Sequence, residues 1–203
     1  LPFLFAHQLQ QAGITLNYDG DYGVLQRRVK NDEELEHLRA VQKITEATME
    51  MACSLIARAP ADAEGVLQHE GAALTSERVR QLISRFVLDH DCTTLHDSIV
   101  VTVPHVADCH HFGTGPLRKD LPVIVDIFPT HNHTHYCGDC TRTVVNGDVS
   151  DIVRDMHACV VRANAAGCAA LQPGTTGQAV HEAVAAVIRE GGYSMGAPTS
   201  EKD

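Results

Sequence analysis

The sequence predicts an α+β domain, with helices laid over one face of a curved antiparallel sheet. Three observations predict it. Apolar residues recur at helical spacing over several long stretches. Two apolar, β-branched runs meet around a short turn, as an antiparallel hairpin requires. The chain has 203 residues, 44% of them hydrophobic, enough to close a core over one domain of ordinary size.

The elements follow in order. Residues 3–12 read as a short helix that stops at Gly13, and residues 14–30, with Asn17, Asp19, Gly20 and Gly23, as a connecting strand or linker. Asn31-Asp32-Glu33-Glu34 opens a helix, its carboxylates lying where the positive end of the helix dipole favours them. Leu35, Leu38, Val41, Ile44, Met49, Met51 and Leu55 carry that helix to about Arg58. A second helix runs from Thr75-Ser76-Glu77 to Asp89, with Val79, Leu82, Ile83, Phe86 and Val87 on one face. Residues 97–103 read as a strand, and Pro122 to Phe128 as a buried strand. After a turn at Pro129-Thr130-His131-Asn132, Tyr136 to Val145 reads as its partner. Residues 150–171 form a long amphipathic helix, broken by Pro173-Gly174, and Gly177 to Gly191 a last one.

Charge and composition narrow the function. The net charge is −10 and the Lys and Arg are scattered, so nothing offers a basic surface to a phosphate backbone or an anionic membrane. Aromatics are 4% and Trp is absent, which gives no platform for stacking single-stranded bases. No apolar run approaches the roughly 20 residues needed to span a bilayer. The seven cysteines are odd in number and form no framework, so they read as reduced thiols of a cytoplasmic protein.

The clearest chemical feature is an aspartate pair. Asp126 interrupts an apolar strand, where a lone carboxylate is costly without a partner. Asp139 follows in the strand after the turn, so a hairpin sets the two side by side. Close carboxylates persist when they share a proton or hold a cation, and hard divalent ions prefer oxygen. Spacing alone leaves a second reading open, in which Asp126 pairs with Arg142 and Asp139 is an edge or turn residue.

His110 and His111 lie in a Gly-rich stretch, where a histidine serves a metal, a developing negative charge or simply solvent. Cys137-Gly138-Asp139-Cys140 beside His131, His133 and His135 has the parts of a zinc site, but no second C-x-x-C or H-x-x-x-H completes one. These residues read as plain thiols or as an adventitious metal site. His181-Glu182 lacks the second His at i+4 that a helical zinc site needs.

From Asp126 onward the strings Ile124-Val125-Asp126-Ile127-Phe128-Pro129 and Gly138-Asp139-Cys140-Thr141-Arg142-Thr143 resemble the pita-bread metallopeptidases: Xaa-Pro aminopeptidases, Xaa-Pro dipeptidases and methionine aminopeptidases. Lys30 to Glu34 with Leu38-Arg39, the segment Ala107-Asp108-Cys109-His110 with Gly113 to Leu117, and Leu171 to Gly177 with Val180-His181-Glu182 resemble the flanking parts of that family, over about residues 28–193. The resemblance implies the pita-bread fold and hydrolysis of Xaa-Pro bonds at peptide N-termini by metal-activated hydroxide. It implies two divalent ions, with Mn²⁺ expected and Co²⁺, Zn²⁺ or Fe²⁺ as substitutes. Asp126 would be a terminal ligand and Asp139 a bridging one. His110 would contact substrate or the tetrahedral intermediate, Thr141 would lie beside Asp139, and Arg142 would brace the strand by ion pairing. Three further ligands, a His and two Glu, are expected beyond residue 203, so the fold is expected to be incomplete at its C-terminus. Residues 1–27 are expected to be the tail of an N-terminal domain with its linker, and residues 28–203 the first portion of the catalytic domain. A homodimer is expected of the full-length protein. Two competing readings are a catalytically inactive relative that binds proteins and a metal-free amidinohydrolase. Retention of both aspartates counts against each.

Overall fold

The computed structural model describes residues 2–195. It divides into two compact units, residues 1–37 and residues 38–203.

In the first unit, helix α1 (Phe3–Gln11) is followed by a short helix α2 (Val24–Arg28) where the sequence suggested a strand or linker. Gly23 caps α2 in the left-handed conformation. No residue between 2 and 37 is buried. The start of helix α3 (Asp32–Arg58) is a reciprocal capping box. The Asn31 amide donates to Glu34 Oε2 and the Glu34 amide donates to Asn31 Oδ1, both at 2.8 Å.

In the second unit the remainder of α3 joins helix α4 (Ser76–Leu88) in burying one main core. Thr75 caps α4 by accepting a hydrogen bond from the Arg78 amide. Met49, Ala52 and Ile56 from α3, and Val79 and Ile83 from α4, meet Leu67, Leu74, Leu117 and the inner face of a sheet. That sheet has three antiparallel strands in the order β4 (Ile99–Thr102), β5 (Pro122–Ile127), β7 (Cys140–Val145). Val123, Val125 and Ile127 of β5 are buried, whereas Pro122, Ile124 and Asp126 are half-buried. The strand expected to be buried is therefore two-faced, and Asp126 lies on the face away from the core.

Two-residue strands add small ladders that no sequence period could reveal. β1 (Gln68–His69) pairs with β2 (Ala72–Ala73), and β3 (Cys92–Thr93) pairs with β6 (Thr130–His131). Part of the segment read as a turn is thus a strand docked on a partner nearly 40 residues earlier. The chain turns afterwards, with His135 at φ 61°, and β7 begins at Cys140 rather than at Tyr136. Helices α5 (Asp151–Ala170) and α6 (Gly177–Glu190) pack on each other. Gly167 leaves room for Val184 there, because a Cβ on it would come within 2.8 Å of Val184 Cγ2.

Asn146, just past β7, is buried and donates through Nδ2 to the carbonyls of Ile56, Ala57 and Ala59 at 2.8, 3.1 and 2.9 Å. It closes the C-terminus of α3, whose last carbonyls have no helical partner. Replacing it with Ala removes the hydrogen bonds to three carbonyls, that of Ile56 buried and those of Ala57 and Ala59 partly so. The expected loss is on the order of 3 kcal/mol, a fall in Tm of about 10 °C by calorimetry.

Candidate metal centre

The register of the hairpin builds the site. Asp126 on β5 sits directly opposite Thr141 on β7, and Ile99 of β4 flanks it on the other side. Directly opposed side chains point to the same face, and residues two apart do so as well. Asp139 lies two residues before Thr141, just short of the ladder, and near enough for the Asp126 charge to act on it. Thr141 Oγ1 donates to Asp126 Oδ1 at 2.7 Å, which fixes that carboxylate; among the described residues no hydrogen bond reaches its other oxygen. Thr141, expected beside Asp139, thus holds Asp126. The Asp139 side chain is largely exposed. Partial desolvation of its carboxyl, and then the negative charge of Asp126, raise its pKa above the ordinary aspartate value of 3.8. Two neighbouring carboxylates on one hairpin are an oxygen pair suited to a hard divalent cation.

Arg142 lies on the opposite face. It pairs in register with buried Val125, and its side chain lines a cleft of about 410 Å³ with Glu46, Glu50 and Cys53. It donates to the Thr141 carbonyl at 2.8 Å and, among the described residues, makes no ion pair. A salt bridge to Asp126 is excluded by the pleat, since adjacent residues of a strand face opposite sides.

The Cys137/Cys140 pair does not converge on a metal. Cys140 is buried in the core and Cys137 is exposed, its Sγ 3.3 Å from Thr130 Oγ1. The His131 Nδ1 is taken by Thr134, whose amide donates to it at 3.2 Å. All seven cysteines are free. Among the described residues no group of three or more His, Cys, Asp and Glu could hold an ion. Asp126 and Asp139 together offer two carboxylate donors, an oxygen set that suits a hard divalent ion.

His110 is exposed, in the segment after a 3₁₀ turn at His105–Ala107. Its amide donates to Asp108 Oδ1 at 3.0 Å. The segment runs along β4 on the side away from β5, with the Val100 amide donating to the Phe112 carbonyl at 3.1 Å. Among the described residues, no contact joins the His110 ring to either aspartate.

Two residues of α4 that the sequence did not single out hold this segment. Arg80 Nη1 donates to the Phe112 and Gly113 carbonyls at 2.7 and 2.8 Å. The Glu77 carboxylate accepts from Thr114 Oγ1 at 2.7 Å and from the Gly115 amide at 3.1 Å. Burial alone pushes Glu77 upward, but hydrogen bonds from Thr114, its own amide, Thr75 and the Gly115 amide outweigh this and lower its pKa to about 2. A lowered carboxylate stabilises the fold above its unfolded pKa, near 4.5, and that stability is lost as pH falls toward 2. Glu77→Gln is expected to cost about 1–2 kcal/mol at pH 7, discounted for solvent screening. It should also flatten the fall in stability between pH 4.5 and 2, read by denaturant unfolding at several pH values.

The sequence pattern of metallopeptidase family M24 matches residues 36–200. The chain belongs to this family. An uncharacterized peptidase of Staphylococcus haemolyticus is 26% identical over 168 residues, 82% of this chain and 44% of that protein. An uncharacterized peptidase of Staphylococcus aureus is 23% identical over 186 residues, covering 90% of this chain and 49% of that protein. This M24 chain thus spans about half the length of the relatives it matches. The prolidase from Pyrococcus furiosus superposes with a TM-score of 0.77 at 19% identity, over 95% of this chain and 53% of that one. The X-Pro aminopeptidase from Thermotoga maritima gives 0.75 at 23%, over 95% and 51%. The architecture is the pita-bread fold, and the M24 chain covers about half the length of each of these two structures. No helix among the described residues is long and apolar enough to cross a membrane.

Proposed function

We propose that the protein is a dinuclear-metal peptidase that hydrolyses the Xaa-Pro bond at the N-terminus of peptides. The observation that carries this is the hairpin pair itself. Asp126 is oriented by Thr141, and Asp139, two residues before Thr141, has its pKa raised by partial desolvation and then by the charge of Asp126. Membership of M24 and likeness to a prolidase and an X-Pro aminopeptidase support it. Asp126 and Asp139 would be two of the ligands to a pair of divalent ions, for which Mn²⁺ is the first candidate and Co²⁺, Zn²⁺ or Fe²⁺ the others. Such ions supply an activated water and polarise the scissile carbonyl. The chain's own residues set the donor geometry: Thr141 holds one Asp126 oxygen and the hairpin fixes the approach of Asp139. His110, on the segment clamped by α4, is the candidate for contact with substrate. Seven free thiols agree with a reducing, cytoplasmic setting.

The test is hydrolysis of Xaa-Pro dipeptides and of longer peptides with proline second, by the full-length protein loaded with Mn²⁺. Turnover that a chelator removes and Mn²⁺ restores is the expected result. A purified protein that binds no metal and cleaves neither substrate overturns the proposal.

A further inference from the structure

We propose that Gln42, on α3, is a positioning residue that holds Asp139 at the angle its metal-ligating role requires; the inference rests on the reading of Asp139 as a ligand. The Gln42 side chain grips both backbone polar groups of this one residue. Its Nε2 donates to the Asp139 carbonyl at 3.1 Å, and its Oε1 accepts from the Asp139 amide at 3.1 Å. A side-chain amide offers one donor and one acceptor side by side, as a neighbouring strand does. Here it takes the place of a strand partner at a position where the ladder to β5 has not yet begun. That ladder starts one residue later, at the pair Ile127 and Cys140.

The preceding residue shows how closely this segment lies on the helix. A Cβ built on Gly138 would stand 2.0 Å from Thr45 Oγ1 and 3.1 Å from the Val41 carbonyl. Val41 and Thr45 share a face of α3 next to Gln42, and both are buried. The Gly138 amide donates to the Pro129 carbonyl at 3.0 Å, which fixes the segment from the hairpin side. The backbone at 138–139 is thus pinned by α3 and by the loop. Among the described residues, no hydrogen bond reaches the Asp139 carboxylate. Backbone fixed and carboxylate free is the arrangement of a pre-oriented ligand. A long, core-anchored helix is a firm base for it, since Met49, Ala52 and Ile56 further along α3 are packed in the main core.

The experiment measures Mn²⁺ affinity by electron paramagnetic resonance, together with amide hydrogen exchange, on the full-length protein. Wild type is compared with Gln42→Ala, the near-isosteric Gln42→Met and Asp139→Asn. Gln42→Ala and Gln42→Met are each expected to weaken Mn²⁺ binding about tenfold. Both should speed exchange of the Asp139 amide while β5 amides keep their protection. The Met variant keeps the packing, so it carries the test if the Ala variant fails to fold. Unchanged Mn²⁺ affinity in Gln42→Met, with Asp139→Asn weakening it, overturns the role of Gln42 alone. Unchanged affinity in Asp139→Asn overturns the metal reading and this inference with it.

Discussion

Asp139→Asn is expected to lower kcat/KM for Xaa-Pro peptides by about 10³-fold in the full-length protein, while making its metal-free form more stable. The two effects have one cause. Asn keeps the shape and the backbone hydrogen bonds to Gln42 but removes the charge that a cation needs. Losing a ligand forfeits several kcal/mol of metal-borne stabilisation, and each 1.36 kcal/mol is a factor of ten. Without metal, the same charge is a burden. Partial desolvation, and then Asp126, raise the Asp139 pKa, so the folded state holds that proton more tightly than the unfolded chain does. Stability is therefore lost as pH rises from 3.8 through the raised value, and it is fully regained only below 3.8. Asn removes that loss at neutral pH. Metal-free wild type should therefore unfold at a lower temperature than the variant, and Mn²⁺ should reverse the order. Thermal unfolding with and without Mn²⁺, beside peptide kinetics, checks both halves. A variant that is less stable without metal, or that keeps wild-type turnover, contradicts the ligand role.

The helices were legible because their signal is local. The apolar spacing from Leu35 to Leu55, and the carboxylates at Asp32 to Glu34, needed no tertiary information, and α3 runs as that pattern implies. The aspartate pair was legible for a related reason, since a carboxylate in Ile124-Val125-Asp126-Ile127 contradicts its own neighbourhood. What escaped lies in register. Nothing local says that Thr141 faces Asp126 and that Arg142 takes the opposite face; only the pairing with β5 decides it. β6 escaped because two residues carry no period and their partner is β3. Gln42 is an amide in a polar stretch of helix, and its role exists only because Gly138 lets the hairpin lie on α3. Glu77 had a partial cue in its place one turn into a helix after Thr75, but its partners Thr114 and Gly115 are 37 and 38 residues away.

Gly113→Ala should be among the most damaging single-methyl additions in the chain. Gly113 has φ +81°, a conformation that costs an L-residue roughly 1–2 kcal/mol. Its Cβ would lie 1.8 Å from the Val100 carbonyl oxygen and 2.9 Å from Val101 Cα. Those are backbone atoms of β4, a strand whose four residues are all buried and which is held to β5, so it cannot retreat. The segment itself must move, against the Arg80 bonds to Phe112 and Gly113 and the Glu77 bonds to Thr114 and Gly115. Strain and overpacking together are expected to cost about 3–5 kcal/mol, a fall in Tm of roughly 10–15 °C. Gly115→Ala supplies the contrast: it has a similar φ of +79°, but a Cβ there meets nothing within 4 Å. It should cost only the conformational part, about 1–2 kcal/mol. The difference between the two variants isolates the close approach to β4. Hydrogen exchange gives the local reading, because the Val100 amide is bonded to the Phe112 carbonyl. Gly113→Ala should expose that amide while amides of β5 stay protected. Because His110 stands three residues before Gly113, the same displacement is expected to reduce turnover of Xaa-Pro peptides by about 10²-fold. Turnover that survives in a folded Gly113→Ala protein with an exposed Val100 amide would show that catalysis does not depend on where this segment lies.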